Sequence, residues 1–397
     1  MPYEAYAGFT RQRRSGGRLR TLRLLSPGPG GRVRTGDREL INFSSNDYLG
    51  LTHHPLLIER AREWTERWGA GSGASRLICG NLEPFKTVED KLARGKGSAV
   101  ALVFNSGFQA NAAILAALLD REVLGREPLV FSDRLNHASI HHGCRAAGVR
   151  QIRYRHNDLN HLESLLQRHR QRPGPRFILS ETVFSMDGDR VDLAGLLDLK
   201  ERHGAFLYLD EAHATGVLGP NGFGLSAVHP GRVDLAMGTF SKGLGGFGAY
   251  AACSQEMAEY LVNNSGGFIY ATALPPGVLG AMDAALDLLP TLEAERRQLL
   301  ATAVRVRHTF REAGLDTGAS DTQIIPVVAG EESTVLALSA RLEQEGLLAV
   351  AIRPPTVPAG GCRIRFTLGA AHGTDDLDRL LAAVPVMARL IEGGGDR

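Results

Sequence analysis

The sequence predicts an α/β protein, with a large unit built on a mostly parallel sheet and a smaller α+β unit at its C-terminal end. Three observations lead there. Short apolar runs without polar alternation recur between residues 99 and 253, the mark of strands buried on both faces. Stretches of helical spacing separate them, so strands and helices alternate. Past a long helical region at 277–313 the pattern becomes a mixture of ~100 residues, the size of a small domain. The boundaries that follow are 1–45 for an N-terminal arm, 46–285 for the large unit and 286–397 for the small one.

Residues 1–40 are basic and rich in Gly and Pro around Ser26–Gly31, and read as an arm ending in a turn. Glu39–Phe43 forms a short strand, and Ser44–Gly50 suits a tight turn whose Ser, Asn and Asp side chains bond to the backbone. Residues 55–68 have helical spacing, with Trp64 and Trp68 packing at i, i+4. The glycine-rich loop 69–76 follows a helix, which is the wrong context for a phosphate loop. It reads as a flexible crossing near a subunit interface. A helix spans 84–94 and a buried strand Ala99–Phe104. That strand runs into Asn105–Asn111 and a helix at 112–119, so the backbone amides of Ser106, Gly107 and Phe108 are placed to hold an anion at a helix start.

The strand Leu129–Asp133 leads to Arg134–Ser139. Helices near 140–147, 159–170 and 192–203 alternate with strands at 150–154 and 176–180, and the polar loop Glu181–Asp189 carries Ser185. In the last unit, strands at 323–328, 347–352 and 362–368 go with helices at 333–345 and 375–391. Between the last two strands lies Arg353–Pro358, where an arginine held in a proline-stiffened loop suits a carboxylate.

Composition excludes several functions. Of 397 residues, 43% are hydrophobic and 22% charged, which is ordinary for a globular protein. The net charge of +2 gives no argument for nucleic acid as a partner. Cys79, Cys144, Cys253 and Cys362 are scattered without a C-x-x-C, the pattern of reduced thiols in a cytosolic protein. No apolar stretch is long enough for a membrane span, and no apolar segment follows the N-terminal arginines as in a secretory signal. His137, His141 and His142 lack an accompanying acid for a metal site.

The chemistry concentrates in residues 205–248. The run Ala205–Leu209 ends at Asp210-Glu211-Ala212-His213, and the run Val233–Gly238 ends at Thr239-Phe240-Ser241-Lys242. Open α/β sheets bind ligands at the carboxyl ends of their strands. Two strand ends therefore deliver an acid, an imidazole, two hydroxyls and an amine to one edge. Pyridoxal phosphate uses that set together: a lysine for the Schiff base and an acid for the pyridine nitrogen. Thr239 and Ser241 suit phosphate oxygens, His213 is in reach of the ring's phenolic oxygen, and a flat imidazole at His137 suits stacking on the ring. Gly243, Gly245 and Gly248 match G-x-G-x-x-G, but a strand and not a helix follows, so a dinucleotide site is rejected. The glycines are expected to let the backbone pass close to the cofactor.

Through NFSSNDYLGL, FNSGFQAN, DRLNHAS, FSMDGD, LDEAHATGVLG, TFSKGLG, FIYATALPP and IRPPTVPAG, the chain resembles the pyridoxal-phosphate α-oxoamine synthases of the aspartate-aminotransferase fold, fold type I, over about residues 40–385. The resemblance implies a cytoplasmic acyltransferase with pyridoxal 5'-phosphate as cofactor and Lys242, Asp210 and His137 as its catalytic set. Lys242 would be the Schiff-base lysine, Asp210 the partner of the ring nitrogen, and His137 the stacking group. Ser185 and His213 would bond the ring oxygen, and Gly107, Phe108 and Thr239 the phosphate. Arg353 would take the amino-acid carboxylate, Thr356 and Asn46 would lie near the substrate, and Arg20 would meet the far end of the acyl chain. FIYATALPP and IRPPTVP favour a branch that condenses L-alanine with a pimeloyl thioester, carried by coenzyme A or acyl carrier protein, over glycine-using relatives. A homodimer is implied, with contacts from Tyr270–Thr272 and the loop 69–76. One departure stands out: many relatives have a histidine about where Phe85 stands. The alternatives are a synthase using glycine or serine with another acyl thioester, and a non-catalytic scaffold that would have lost the lysine or the acid.

Overall fold

The computed structural model describes residues 2–393. Its strands are β1 (Ser26–Pro27), β2 (Arg32–Thr35), β3 (Arg38–Asn42), β4 (Val100–Phe104), β5 (Leu129–Asp133), β6 (Gln151–Tyr154), β7 (Arg176–Glu181), β8 (Ala205–Asp210), β9 (Leu235–Thr239), β10 (Ala249–Cys253), β11 (Ile324–Gly330), β12 (Leu347–Leu348), β13 (Ala351–Ile352) and β14 (Cys362–Thr367). A seven-stranded sheet in the order β4-β10-β9-β8-β7-β5-β6 forms the centre. Only β10 runs against its neighbours, so the other six strands end at the same edge.

The apolar runs are continuous because both sheet faces are covered. Leu102 and Phe104 of β4, Tyr208 of β8 and Met237 of β9 pack with Ile114 and Leu115 of the helix Gly107–Leu118. Leu207 and Leu209 point the other way, against Leu162, Leu166, Leu196 and Leu197 of two further helices. Alternate side chains of a strand face opposite sides, so a two-sided core needs apolar residues at every position.

The C-terminal unit has its own core, where Phe310, Ile325, Val335, Ile364 and Phe366 meet, and an antiparallel sheet in the order β11-β14-β13. The predicted strand at 347–352 is two short ones. Leu347–Leu348 pairs in parallel with Ile41–Asn42 of β3, and Ala351–Ile352 pairs with β14. The N-terminal hairpin β2–β3 is therefore stitched to the C-terminal unit, and Ile41 and Phe43 lie in that unit's core.

Other expectations shift for local reasons. The arm contains a helix, Pro2–Ser15, none of whose residues is buried. No apolar face marks it, and residues of good helix propensity such as Ala, Arg and Gln sustain it. The long helical region breaks into Pro276–Leu288, a single tight turn at Leu289–Thr291, and Glu293–Glu312, because Pro290 has no N–H to continue the ladder. The last helix divides likewise into Thr374–Ala382 and Val384–Glu392, with Pro385 in the first turn of the second. The glycine loop is anchored within the chain, since the Ser72 hydroxyl donates to the Leu274 carbonyl and Ala273 N–H donates to Ala74 O at 3.0 Å. Phe85 is fully buried, with the Arg76 guanidinium 4.2 Å from its ring centroid.

Beneath the sheet edge, Lys96 and Glu211 form an ion pair closed off from water, and Glu211 also accepts from Ser226 N–H at 2.9 Å. Removing one partner strands the other's charge. Lys96→Met is expected to cost about 3–5 kcal/mol of unfolding free energy, read from urea denaturation; a cost under ~1 kcal/mol, the range of an exposed pair, would contradict this account.

Candidate active site

The carboxyl ends of five strands meet at one cavity of about 260 Å³. β4 leads to Ser106, Gly107 and Phe108; β5 to His137 and Ser139; β7 ends in Glu181; β8 ends in Asp210 and leads to Ala212 and His213; β9 ends in Thr239 and leads to Ser241 and Lys242. Parallel register sets Asp210 beside Glu181 on one side and Met237 on the other.

Asp210 is 4% exposed and meets two donors: Asn111 Nδ2–H at 2.8 Å on Oδ2 and the Ala212 N–H at 2.9 Å on Oδ1. Glu181 accepts from the His137 N–H at 2.5 Å, which fixes the backbone that carries this imidazole. Burial, together with the Asp210 charge, pushes the Glu181 carboxyl well above the usual carboxylate range. At the other end, Ser106 caps the helix Gly107–Leu118, whose first N–H groups have no partner within the helix. Thr239 donates to the Gly248 carbonyl at 2.7 Å and accepts from Ser241.

Burial lowers the Lys242 amine to about 8, with Asp210 and Glu181 opposing and Arg365 assisting. Its Nζ lies 2.9 Å from His213 Nε2, and His213 Nδ1 lies 2.5 Å from the Tyr48 hydroxyl. Asn46 Oδ1 accepts from Arg365 Nη2 at 3.0 Å and from Tyr48 at 3.3 Å. Tyr48 therefore gives its proton to Asn46 and accepts at its oxygen from His213 Nδ1–H. That leaves His213 Nε2 bare to accept from Lys242. Burial, then the nearby Lys242 and Arg365 charges, hold His213 well below its ordinary pKa, so it is neutral, as this arrangement requires.

The loop after Lys242 passes very close to the backbone at Thr215–Gly216. A Cβ on Gly216, whose φ is +96°, would sit 2.9 Å from Gly243 Cα. Its glycines thus serve the approach of one protein segment to another.

Pyridoxal phosphate fits these residues. A buried acid with two donors, an amine of depressed pKa, a flat imidazole and a capped helix start line one space, the set of groups that a ring nitrogen, an aldehyde carbon, a ring face and a phosphate require. Among the described residues no group of three or more His, Cys, Asp or Glu is arranged to hold a metal.

Lys242, Asp210, His137, His213, Thr239, Gly107 and Phe108 all line this cavity. Ser185 does not line it; its carbonyl accepts from Arg365 Nε. Asn46 joins through Tyr48 and Arg365. Arg353, Arg20 and Thr356 line a different cavity, of about 750 Å³, together with Phe9, Arg13 and Arg18. There the Arg353 guanidinium donates to the Gly17 carbonyl at 3.0 Å and pairs with Glu332 at 3.6 Å, while Arg20 reaches the Thr356 hydroxyl at 3.4 Å. Sequence reading missed Asn111, Tyr48, Glu181 and Arg365. Arg365 sits in the alternating run Arg363-Ile364-Arg365-Phe366, and a cation at an inward position of a buried strand was the available signal.

Residues 38–384 match the aminotransferase class I and II family. The chain is similar to an 8-amino-7-oxononanoate synthase of Gluconacetobacter diazotrophicus, 60% identical over 90% of this chain and 90% of the other. It is also similar to one of Geobacter sulfurreducens, 48% identical over 97% of each. Its fold is similar to that of serine palmitoyltransferase from S. paucimobilis, solved with PLP and myriocin bound, with a TM-score of 0.90 and 25% identity over 99% of this chain and 98% of the other.

Below the cavity, His156 is clamped between Asp133 at 3.0 Å and Asp189 at 2.9 Å, joining the loops that carry His137 and Ser185. Burial pulls its pKa down, but the hydrogen bonds and charges of the two carboxylates outweigh this and raise it to about 10. A histidine whose folded pKa is raised contributes its full stabilisation below ~6.5, the unfolded value, and loses it as pH rises through about 10. The urea midpoint should therefore fall between pH 7 and pH 10 more steeply in the wild type than in His156→Gln. Parallel slopes would contradict the clamp.

Proposed function

The chain belongs to the aminotransferase class I and II family, and on that premise we propose that it catalyses the decarboxylative condensation of L-alanine with a pimeloyl thioester, the 8-amino-7-oxononanoate synthase reaction of biotin biosynthesis. The observation that carries the chemistry is Lys242, an amine of pKa about 8, sharing one cavity with the buried Asp210. The named relatives, 48% and 60% identical over nearly the whole chain, support the choice of substrates.

Lys242 would hold the cofactor covalently, Asp210 would face the ring nitrogen, His137 the ring face and His213 the ring oxygen. Ser106, Gly107, Phe108 and Thr239 would surround the phosphate. When bound, pyridoxal phosphate supplies an electron sink for the negative charge that develops at the amino acid's α-carbon. The protein's own part is proton handling and orientation. An amine that titrates near 8 is partly unprotonated at neutral pH, as a general base requires. The bare His213 Nε2 keeps that amine aimed, and Tyr48, Asn46 and Arg365 keep His213 aimed in turn.

For the amino-acid carboxylate we assign Arg365 in place of Arg353. Arg365 is 7% exposed, bonds Asn46 and the Ser185 carbonyl, and its charge reaches Lys242 and His213. Arg353 lines the other cavity, with its Nη1 on the Gly17 carbonyl and 3.6 Å from Glu332. Arg20 and Thr356 are assigned to the acyl end, because they line the larger, arginine-rich cavity. The thioester carrier is coenzyme A or acyl carrier protein. A homodimer is supported by Leu77, Ile78 and Tyr270, apolar side chains that stand exposed beside the anchored glycine loop. A cytoplasmic location is supported by four free thiols, and no helix among the described residues is long and apolar enough to cross a membrane.

Purified protein given pyridoxal phosphate, L-alanine and pimeloyl-coenzyme A should form the 8-amino-7-oxononanoate mass with release of carbon dioxide. Turnover of glycine or serine in its place would reassign the substrate. Lys242→Ala should abolish turnover and the protein-bound cofactor absorbance. Arg365→Lys should raise the KM for alanine ~10–100-fold, the equivalent of the ~1.5–3 kcal/mol carried by a hydrogen bond to a charged group; an unchanged KM would return the role to another arginine.

A further inference from the structure

One buried amide connects the acid of the cavity to its imidazole wall. Asn111 lies in the helix Gly107–Leu118 with 1% exposure, and both ends of its side chain are engaged. Nδ2 is 2.8 Å from Asp210 Oδ2 and 2.8 Å from Ser139 Oγ, and Oδ1 is 2.6 Å from the Tyr208 hydroxyl. A carboxylate oxygen only accepts, so the NH₂ must be the end facing Asp210. Its second N–H then goes to Ser139 Oγ, and Tyr208 donates to Oδ1. Burial raises the Tyr208 hydroxyl well above its ordinary pKa, so that proton stays in place.

Ser139 Oγ, having accepted the amide N–H, still has its own proton to give, and His137 Nδ1 stands 2.7 Å away. The Ser139 backbone N–H also points at that nitrogen, at 3.3 Å. Two donors converging on Nδ1 make it a bare acceptor. Burial, with Asp210 opposing and Lys242 assisting, lowers the His137 pKa below its ordinary value, so the ring is neutral and its one proton sits on Nε2. Nε2 has no hydrogen-bond partner among the described residues, and His137 opens onto the cavity.

We propose that Asn111, acting through Ser139, is a positioning residue that fixes His137 as its Nε2–H tautomer, so that the wall of the cavity presents a hydrogen-bond donor and never an acceptor. The same amide donates to Asp210, so one group bears on both the acid and, through Ser139, the imidazole. A ligand atom that meets Nε2 must bring a free lone pair; a group that can only donate, such as an ammonium, is rejected there. The inference rests on the reading of this cavity as the pyridoxal-phosphate site.

The test is the ¹⁵N spectrum of the holoenzyme labelled in histidine, with the His137 signals identified by their loss in His137→Asn. In the wild type Nδ1 should resonate as an unprotonated, pyridine-type nitrogen and Nε2 as a protonated, pyrrole-type one. In Ser139→Ala the 2.7 Å hydroxyl is lost and only the longer backbone N–H at 3.3 Å still faces Nδ1. The preference should therefore weaken towards averaged signals, with kcat falling about fivefold, the equivalent of one neutral hydrogen bond at ~1 kcal/mol. A wild-type Nδ1–H tautomer or an imidazolium at neutral pH overturns the proposal. So does a Ser139→Ala holoenzyme with the wild-type nitrogen pattern. If that variant does not fold, the wild-type spectrum decides alone. Because the tautomer is read without turnover, failure to condense alanine with the nitrogen pattern intact would count against the proposed reaction and leave this inference standing.

Discussion

The Asp210 carboxylate is almost entirely withdrawn from water at the end of a central strand, where an acid without partners costs several kcal/mol. Much of the surrounding structure follows from meeting that cost. Ala212 N–H and the Asn111 amide donate to its two oxygens, and the amine of Lys242 shares its cavity. Parallel register places a second acid, Glu181, alongside. Two carboxylates so close cannot both ionise cheaply, and burial together with the Asp210 charge displaces the Glu181 carboxyl upward. The acid also acts back on the lysine. Burial and Arg365 pull the Lys242 amine down while Asp210 and Glu181 hold it up, and the balance settles at about 8.

The strand ends that build this arrangement were readable because each combines a buried apolar run with an abrupt change to polar residues. Asp210, His213, Thr239 and Lys242 all follow such a change, as do Gly107 and His137. What escaped were residues inside regular elements. Asn111 lies mid-helix among alanines, Glu181 ends a strand as one more polar residue, and Arg365 is a cation in a strand of the other unit. Their roles come from register and from packing between units, which local pattern does not encode. Arg353 shows the converse. A proline-framed arginine reads as a binding group, and the structure sets it in the larger cavity, away from Asp210 and Lys242, with its Nη1 on the Gly17 carbonyl and near Glu332. The helix Pro2–Ser15 was hidden for a third reason, since it buries nothing and so carries no periodic apolar signal.

The hydrogen-bonded line from Lys242 through His213, Tyr48 and Asn46 to Arg365 crosses between units. Its first two members follow central strands, its next two come from the turn after β3, and the last is on β14. The amine is thus aimed by groups that only the assembled chain brings together, and this fits a reaction that needs water excluded and geometry fixed at one carbon.

The pairing of β3 with β12 has a consequence for the way the molecule comes into being. Ile41 lies opposite Leu347, so about three hundred residues separate the two halves of one short ladder, and closing so long a loop is slow. On the ribosome, where chains emerge amino end first, the hairpin leaves the exit tunnel long before its mate exists. It must stay unmated while the whole central sheet is made and settles. Strands made early are thus among the last to find their place.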